Sequence, residues 1–193
     1  PACSQDWIGI QESLLSRDID LAFCETSGVE SDDRFEVRPV GNHPVFFFGR
    51  AGHPLARRKS LGIKEMFQYP WAAPVIPWRA ASTFPLGSAD VAAGTLDLER
   101  RAFVPRVLIT SLQLAKNVVA GSDSLAFGML TQIRDEIDAG ELELIRFHAP
   151  WMYLRYGFVW LTKRTMSTDA VAFITRIEAA EARLRAGEET LRK

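Results

Sequence analysis

The order of short apolar runs and helical segments limits the fold of this chain more than any other feature. The runs IDLAFCE (19–25), SLAFGML (124–130) and GFVWL (157–161) are each bounded by polar residues. Such runs are typical of strands that are buried on both faces, and helical segments separate them along the chain. This alternation predicts an α/β architecture with mostly parallel sheets.

The segment TSLQLAKNVVAG (110–121) carries the best-defined helix signal. Thr110 and Gln113 have capping-box spacing, and Gly121 stands where a helix C-terminal cap belongs. The apolar positions of the segment recur on one helical face: Leu112, Ala115 and Val119. We therefore predict a helix over this segment, with Thr110 as its N-cap.

The remaining elements follow from the same patterns. In the first part of the chain we predict a helix from an N-cap at Asp6 to a turn at Arg17–Asp18, a buried strand over 19–25, and two strands joined by Gly41–Asn42. In the middle we predict a short helix capped by Ser60, an extended segment over 71–82, a helical segment over 90–102 and a strand over 103–109. In the last part we predict a helix and a strand over 131–147, and a final strand and helix over 156–177.

Two segments are predicted to carry the chain between two lobes. The first segment is 74–82, in which Pro74 and Pro77 oppose helix formation and favour extended geometry. The second segment is 151–157. Two crossings predict lobe I over 1–76 and 158–193 and lobe II over 77–157, with the final helix packed on lobe I.

Composition excludes several classes of function. The chain has 193 residues with a net charge of -1, so charge gives no argument for nucleic-acid binding by these residues. Its three histidines are scattered, and its two cysteines, Cys3 and Cys24, form neither a disulfide framework nor a metal motif. We predict no catalytic residues, no metal, no cofactor, no membrane span and reduced thiols.

Several weak motifs occur in one order. They are LLSRDIDLAF (14–23), FEVRPV (35–40), GHPLARRKSLGIKEMFQYPW (52–71), VLITSLQLAKNVVAGSDSLAFGML (107–130), GELELIRF (140–147) and GFVWLTKRTMSTDAVAFITRI (157–177). Together they resemble the effector-binding domain of LysR-type transcriptional regulators over residues 8 to 184. Arg17–Asp18 stands at the turn where that family usually has Gly, and no Pro follows the strand around Gly128.

The resemblance implies two Rossmann-like lobes joined by a double crossover hinge, similar to type 2 periplasmic binding proteins. It implies that a small-molecule effector, a carboxylate or another small anion, binds in the cleft between the lobes. It also implies a cytoplasmic homodimer or homotetramer that contacts DNA only through an N-terminal winged helix-turn-helix outside this chain. In the resembled domain further strands of lobe I precede the first helix; either the natural protein continues upstream of Pro1 or another segment takes their place.

Helix N-termini at the carboxyl ends of strands favour anions, which suggests where the effector binds. The predicted ligand-binding residues are Thr110, Ser111, Arg79, Trp78, Ser82, Thr26, Gly128 and Met129. Thr110 either caps its helix alone or also contacts ligand, and Arg79 is either a surface residue or a forked partner of a carboxylate. Trp78 either walls a pocket or packs in the core, and Gly128 either admits a ligand or forms a bulge.

Two functions from different classes remain open. The first is the effector-sensing domain of a transcriptional regulator, and the second is a solute-binding protein of a transporter with the same two-lobe fold. Trp151, Tyr153 and Tyr156 near the second crossing are interpreted as packing residues rather than as cleft residues.

Overall fold

The structure is a computed structural model that describes residues 7–86 and 90–191. The predicted N-cap Asp6 lies outside the described residues. The chain divides into two compact units. Unit 1 comprises residues 1–42 and 154–193, and unit 2 comprises residues 43–153. The chain therefore passes from one unit to the other twice.

The helices are α1 (Trp7–Leu15), α2 (Ile63–Met66), α3 (Trp78–Ala81), α4 (Leu112–Ala120), α5 (Leu130–Asp138) and α6 (Thr168–Leu191). The strands are β1 (Ala22–Glu25), β2 (Phe35–Pro44), β3 (Phe46–Arg50), β4 (Ala72–Ala73), β5 (Ile76–Pro77), β6 (Asp90–Val91), β7 (Gly94–Asp97), β8 (Ala102–Pro105), β9 (Val107–Leu108), β10 (Ala126–Gly128), β11 (Leu142–Leu144) and β12 (Tyr153–Leu161).

Unit 1 is built on a three-stranded sheet in the order β1-β12-β2. Strand β12 pairs with β1, from Ala22 opposite Val159 to Glu25 opposite Tyr156. Helix α6 contributes the buried Ile174 to the same unit. The last strand and helix thus return to the unit in which the chain began, as predicted, but β1 and β12 are antiparallel.

The core of unit 1 is a small apolar cluster of Leu14, Ala22, Val29, Phe35 and Val159. Its members come from α1, β1, the following loop, β2 and β12. Burial of these side chains is what holds α1 and the loop to the sheet, since apolar area removed from water contributes about 25 cal/mol per Å².

Unit 2 contains a mixed sheet in which three strands run in the same direction. Strand β4 pairs with β9 in parallel, and a parallel bridge joins Trp71 to Leu125 at the start of β10. Strand β3 is antiparallel to both β10 and β11. This isolated bridge joins the pair β9-β4 to the sheet β10-β3-β11, so the carboxyl ends of β9, β4 and β10 point in the same direction.

The two faces of this sheet carry different cores. Consecutive residues of a strand point to opposite faces, and Phe47 and Phe48 of β3 do so here. Phe48 belongs to the cluster formed with α4 and α5, which includes Ala115, Val119 and Ile133. Phe47 packs on the other face against Trp71, with ring centroids 4.9 Å apart, in an aromatic cluster with Phe127, Phe147 and Trp151.

A second sheet in unit 2 corrects the predicted helical segment over 90–102. Its four strands are antiparallel in the order β5-β8-β7-β6. Gly94 has a φ of 155°, and a Cβ placed on it would lie 2.2 Å from the carbonyl oxygen of Val104. The close approach of β7 to β8 therefore requires glycine, and this hairpin forms in place of the predicted helix.

Two further predictions about the chain path differ from the structure. Strand β2 continues through Gly41 and Asn42, and neither residue has a positive φ, so no hairpin forms there. Residues 43–76, predicted in lobe I, belong to unit 2, because β3 lies between β10 and β11. The first passage between the units therefore occurs within β2, and the second occurs at residues 153–154 rather than 157–158.

The prediction of mostly parallel sheets is also wrong. Among the strand pairs whose direction the structure records, only β4 and β9 form a parallel ladder. Across the described residues, no helix is both long enough and apolar enough to span a membrane.

Candidate functional site

The carboxyl ends of β9 and β10 in unit 2 carry four of the eight predicted ligand-binding residues: Thr110, Ser111, Gly128 and Met129. Thr110 and Ser111 follow β9, and Gly128 ends β10. Trp78, Arg79 and Ser82 follow β4 at a greater distance along the chain, in and after α3. Loops at this end of an α/β sheet are the usual location of ligands.

The start of α4 has a side-chain cap that differs by one residue from the predicted one. Ser111 is the N-cap, and its Oγ accepts the N–H of Leu114 at 3.5 Å. Thr110 precedes the cap, and both side chains are exposed. The capping role predicted for Thr110 is therefore wrong, whereas Gly121 is the C-cap as predicted.

The start of α5 lies beside the start of α4. Met129 is the N-cap of α5, and its N–H donates to Oε1 of Gln132 at 3.1 Å. A Cβ placed on Gly128 would lie 3.4 Å from Cδ1 of Leu112, the first residue of α4. Two helix N-termini, each with partial positive charge, thus meet next to Gly128.

An ion pair fixes α4 and α5 to each other one turn further along. Nζ of Lys116 donates to the carbonyl oxygen of Gln132 at 3.2 Å and forms an ion pair with Glu136. The hydrogen bond from Lys116 is the main reason that the pKa of Glu136 lies below its ordinary value. This pairing sets the spacing of the two helix starts.

Arg79 is held by the segment that leads out of unit 2. Its Nη1 donates to the carbonyl oxygen of Trp151 at 2.9 Å, and its Nη2 donates to that of Tyr153. Its guanidinium carbon lies 4.2 Å from the centroid of the Tyr153 ring. The planar fork of an arginine suits this double contact, which a lysine does not reproduce.

The other residues near Arg79 have separate surroundings. Trp78 is half-buried, and the guanidinium of Arg101 lies 5.5 Å from its ring centroid. Ser82 is the C-cap of α3 and is exposed. Trp151 packs on Phe84 with centroids 5.3 Å apart, in keeping with its interpretation as a packing residue.

A pocket of about 540 Å³ lies beside Arg79, within unit 2. Its volume is in the range of small-molecule sites. It is lined by Ile63, Arg79, Thr83, Phe147, His148, Ala149, Pro150, Trp151 and Tyr153. Arg79 is the one member of the predicted ligand-binding set among these residues.

Sequence reasoning missed most of this pocket. Residues 147–151 follow β11 as an irregular segment with no periodic pattern. The signal that was available is the density of aromatic and proline residues in FHAPWMY (147–153), a composition that recurs in the walls of apolar pockets.

Thr26 is the one predicted ligand-binding residue in unit 1. Its side chain is buried, and its Oγ1 donates to Oε1 of Glu30 at 3.0 Å. The neighbouring carboxylate of Glu25 accepts the N–H and the Oγ–H of Ser27. These contacts close the loop after β1, and the ligand-binding role of Thr26 stays a prediction.

Two titratable side chains serve packing. Burial, with a smaller contribution from Glu25, raises the pKa of the Cys24 thiol to about 12, so the thiol stays protonated at neutral pH. Desolvation by burial lowers the pKa of His53, which is fully buried and accepts the N–H of Leu55 at Nδ1. No group of His, Cys, Asp and Glu side chains suited to a metal ion is present among the described residues.

Comparison with known families gives one match over most of the chain. The family described as "LysR substrate binding domain" matches residues 3–182. A curated relative from Pseudomonas sp. (strain ATCC 19151), the SDS degradation transcriptional activation protein, is 29% identical over 170 residues. The match covers 86% of this chain and 52% of the relative, so the chain spans about half of that protein's length.

Solved regulatory domains have the same fold at low sequence identity. The MetR regulatory domain of N. meningitidis has a TM-score of 0.62 and 15% identity, covering 93% of this chain and 77% of that one. The Synechocystis PCC6803 CcmR regulatory domain in complex with 2-PG has a TM-score of 0.60 and 15% identity, covering 92% and 80%. The sulfate-bound OxyR2 regulatory domain of Vibrio vulnificus has a TM-score of 0.57 and 16% identity, covering 92% and 78%.

Proposed function

Because this chain belongs to the LysR substrate binding domain family, we propose that it is the effector-sensing part of a bacterial transcriptional regulator. The curated relative is named as a transcriptional activation protein, which supports this class of function. The effector is a small anion, and its binding controls how the whole regulator engages DNA. No catalytic step is part of this proposal.

The paired helix starts next to Gly128 carry the proposal for the binding site. The first turns of α4 and α5 leave backbone N–H groups directed away from the helices, and such groups bind carboxylate, phosphate and sulfate well. The hydroxyls of Thr110 and Ser111 add donors beside them. We place the anionic group of the effector against Thr110, Ser111, Gly128 and Met129.

A thermal-shift screen tests this site. We expect a small carboxylate, sulfate or phosphate ester to raise the melting temperature of the domain, because a ligand that binds only the folded state stabilises it. The screen includes 2-PG and short alkyl sulfates, which are suggested by the names of the CcmR complex and of the SDS-degradation activator. The absence of any shift at millimolar concentrations would contradict the proposal.

The Ser111→Ala variant localises the effect. Removing the cap costs about 1 kcal/mol whether or not a ligand is present, so the ligand-induced shift is measured rather than the melting temperature itself. Ser167→Ala is the matched control, because Ser167 Oγ accepts the N–H of Ala170 at the start of α6 in unit 1. We expect Ser111→Ala to reduce the shift and Ser167→Ala to preserve it.

The proposal extends to partners. We propose a homodimer or homotetramer in the cytoplasm, with DNA contacted through an N-terminal winged helix-turn-helix. The residues encoded before Pro1 distinguish this regulator from a transporter's solute-binding protein. A helix-turn-helix there supports the regulator, whereas a signal peptide supports the transporter.

A further inference from the structure

We propose that the pocket beside Arg79 is a second binding site, separate from the helix starts of α4 and α5, and that it takes an apolar oxyanion: a carboxylate or sulfate ester with a short alkyl or aryl body. The inference does not depend on the proposed effector site, because the two places use different residues and opposite faces of the sheet in unit 2.

The separation of the two sites follows from the register of β3. Phe48 points to the face covered by α4 and α5. Phe47 points to the other face, where its ring lies 6.0 Å from that of Phe147 and 6.3 Å from that of Trp151. Phe147 and Trp151 line the pocket, so the pocket opens on the aromatic face.

The lining of the pocket specifies the apolar part of the ligand. Five of its residues are apolar: Ile63, Phe147, Ala149, Pro150 and Trp151. A ring or an alkyl chain placed against them loses contact with water, which is the main source of affinity in sites of this kind. A small hydrophilic anion gains nothing from these walls.

Arg79 specifies the charged part of the ligand. It is the one permanently charged side chain in the lining, and none of the described residues that line the pocket is acidic. The carbonyl oxygens of Trp151 and Tyr153 and the ring of Tyr153 hold the guanidinium in one position. A fixed cation beside an apolar wall stabilises an anion more than a mobile cation does, because little further side-chain conformational entropy is lost on binding.

Arg79 places the pocket beside the segment through which the chain leaves unit 2. Tyr153 is the last residue of unit 2 before the chain returns to unit 1. A ligand whose anionic group approaches Arg79 therefore lies beside the segment that leaves the unit. We expect binding to increase the protection of the backbone amides over residues 147–153.

Isothermal titration calorimetry with matched probes tests the ligand class. The probes are hexanoate and n-hexyl sulfate, with 1-hexanol lacking the charge and acetate and inorganic sulfate lacking the apolar body. We expect the two hexyl anions to bind at least about tenfold more tightly than the controls. A charged hydrogen bond contributes about that factor over 1-hexanol, and burial of the hexyl chain contributes at least as much over acetate and inorganic sulfate. Equal affinity for hexanoate and acetate, or no heat with either hexyl anion, would overturn the inference.

Variants assign the binding to the pocket. Ala149→Phe fills the pocket without altering Arg79 and should abolish binding of the hexyl anions, whereas Ala139→Phe, at an exposed position after α5, should leave it intact. Arg79→Gln should weaken the hexyl anions and leave 1-hexanol unchanged. Retained affinity in Ala149→Phe would overturn the inference.

Hydrogen exchange and Ser111→Ala separate this site from the proposed effector site. If the hexyl anions protect the backbone amides of residues 147–153 from hydrogen exchange, and bind Ser111→Ala as tightly as the wild type, the pocket is supported even if the effector proposal fails. If only the backbone amides in the first turns of α4 and α5 are protected, and Ser111→Ala loses affinity for the hexyl anions, these anions bind at the effector site. That result would overturn the inference of a second site.

Discussion

Arg17 has a φ of 66°, in the left-handed region that favours glycine. It stands in the turn between α1 and β1, at the position where the resembled family usually has Gly. A non-glycine residue in this conformation costs about 1–2 kcal/mol. The sequence signalled the turn, and the structure identifies Arg17 as the residue that carries the strain.

Replacing this residue should stabilise the protein. We expect Arg17→Gly to raise the free energy of unfolding by about 1 kcal/mol, because glycine adopts the left-handed region without steric cost. Urea unfolding measures the change. Arg57→Gly is the control, since Arg57 is exposed in a turn and has no positive φ. The explanation fails if Arg17→Gly is neutral or less stable than the wild type.

His53 makes stability depend on pH. Its Nδ1 accepts the N–H of Leu55 at 3.1 Å, so its Nε2 carries the proton and donates to the carbonyl oxygen of Asp123 at 3.2 Å. The imidazole is therefore neutral in the folded protein, and burial lowers its pKa from the ordinary 6.5. Protonation favours the unfolded chain, so this contribution is complete above the unfolded pKa and decreases as the pH falls below it.

The effect of His53 on the pH dependence of stability can be measured in two ways. We expect the free energy of unfolding to fall between about pH 7 and pH 5, and His53→Gln to make this fall smaller. An NMR titration of His53 in the wild type gives a second measurement that needs no variant. A folded-state pKa at or above 6.5 would contradict the assignment.

At the scale of elements, the hairpin of β7 and β8 depends on Gly94. A side chain there meets the carbonyl oxygen of Val104 and the backbone of Pro105, which cannot move aside without breaking the strand pairing. The same substitution at Gly128 meets only flexible side-chain atoms of Leu112 and Ile133 at ordinary contact distances. The two glycines therefore have different roles.

We expect Gly94→Ala to lower the free energy of unfolding by about 3 kcal/mol or more, because the clash adds to the strain of the positive φ. Gly128→Ala should change stability by less than about 1 kcal/mol and serves as the matched control. Chemical denaturation of both variants measures the difference. Equal losses in the two variants would show that backbone approach at Gly94 is not the cause.

At the scale of the whole molecule, α4 presents an apolar residue to solvent. Leu114 is 58% exposed, although the opposite face of the helix is buried through Ala115 and Val119. An exposed leucine on a helix surface fits a contact with a second copy of the chain, since burying it on association removes apolar area from water.

We therefore expect the protein to self-associate in sedimentation experiments and Leu114→Glu to weaken the association by at least about tenfold, because a buried charge in an apolar contact is costly. Leu98→Glu is the control, as Leu98 is 57% exposed in the turn after β7. A wild-type monomer at high concentration, or equal effects of both substitutions, would contradict the assignment of this surface.

The residues alone determined the elements whose signals are local. Helix α4 with its Gly121 cap, α5 followed by Gly140 and β11, and the final strand and helix all agree with predictions from capping residues and period. The resemblance supplied the family and the two-unit plan, because motif order along the chain is itself a sequence property. Contacts within about one helical turn decide such features, so the residues themselves carry them.

Only the tertiary structure decided which strands pair and in which direction. The antiparallel pairing of β1 with β12, the pairing of β5 with β8 and the place of β3 between β10 and β11 all join residues far apart in sequence. The same is true of the contact of Arg79 with Trp151 and Tyr153, which no local pattern indicates. These features depend on which apolar surfaces are buried together, and that is settled when the chain packs.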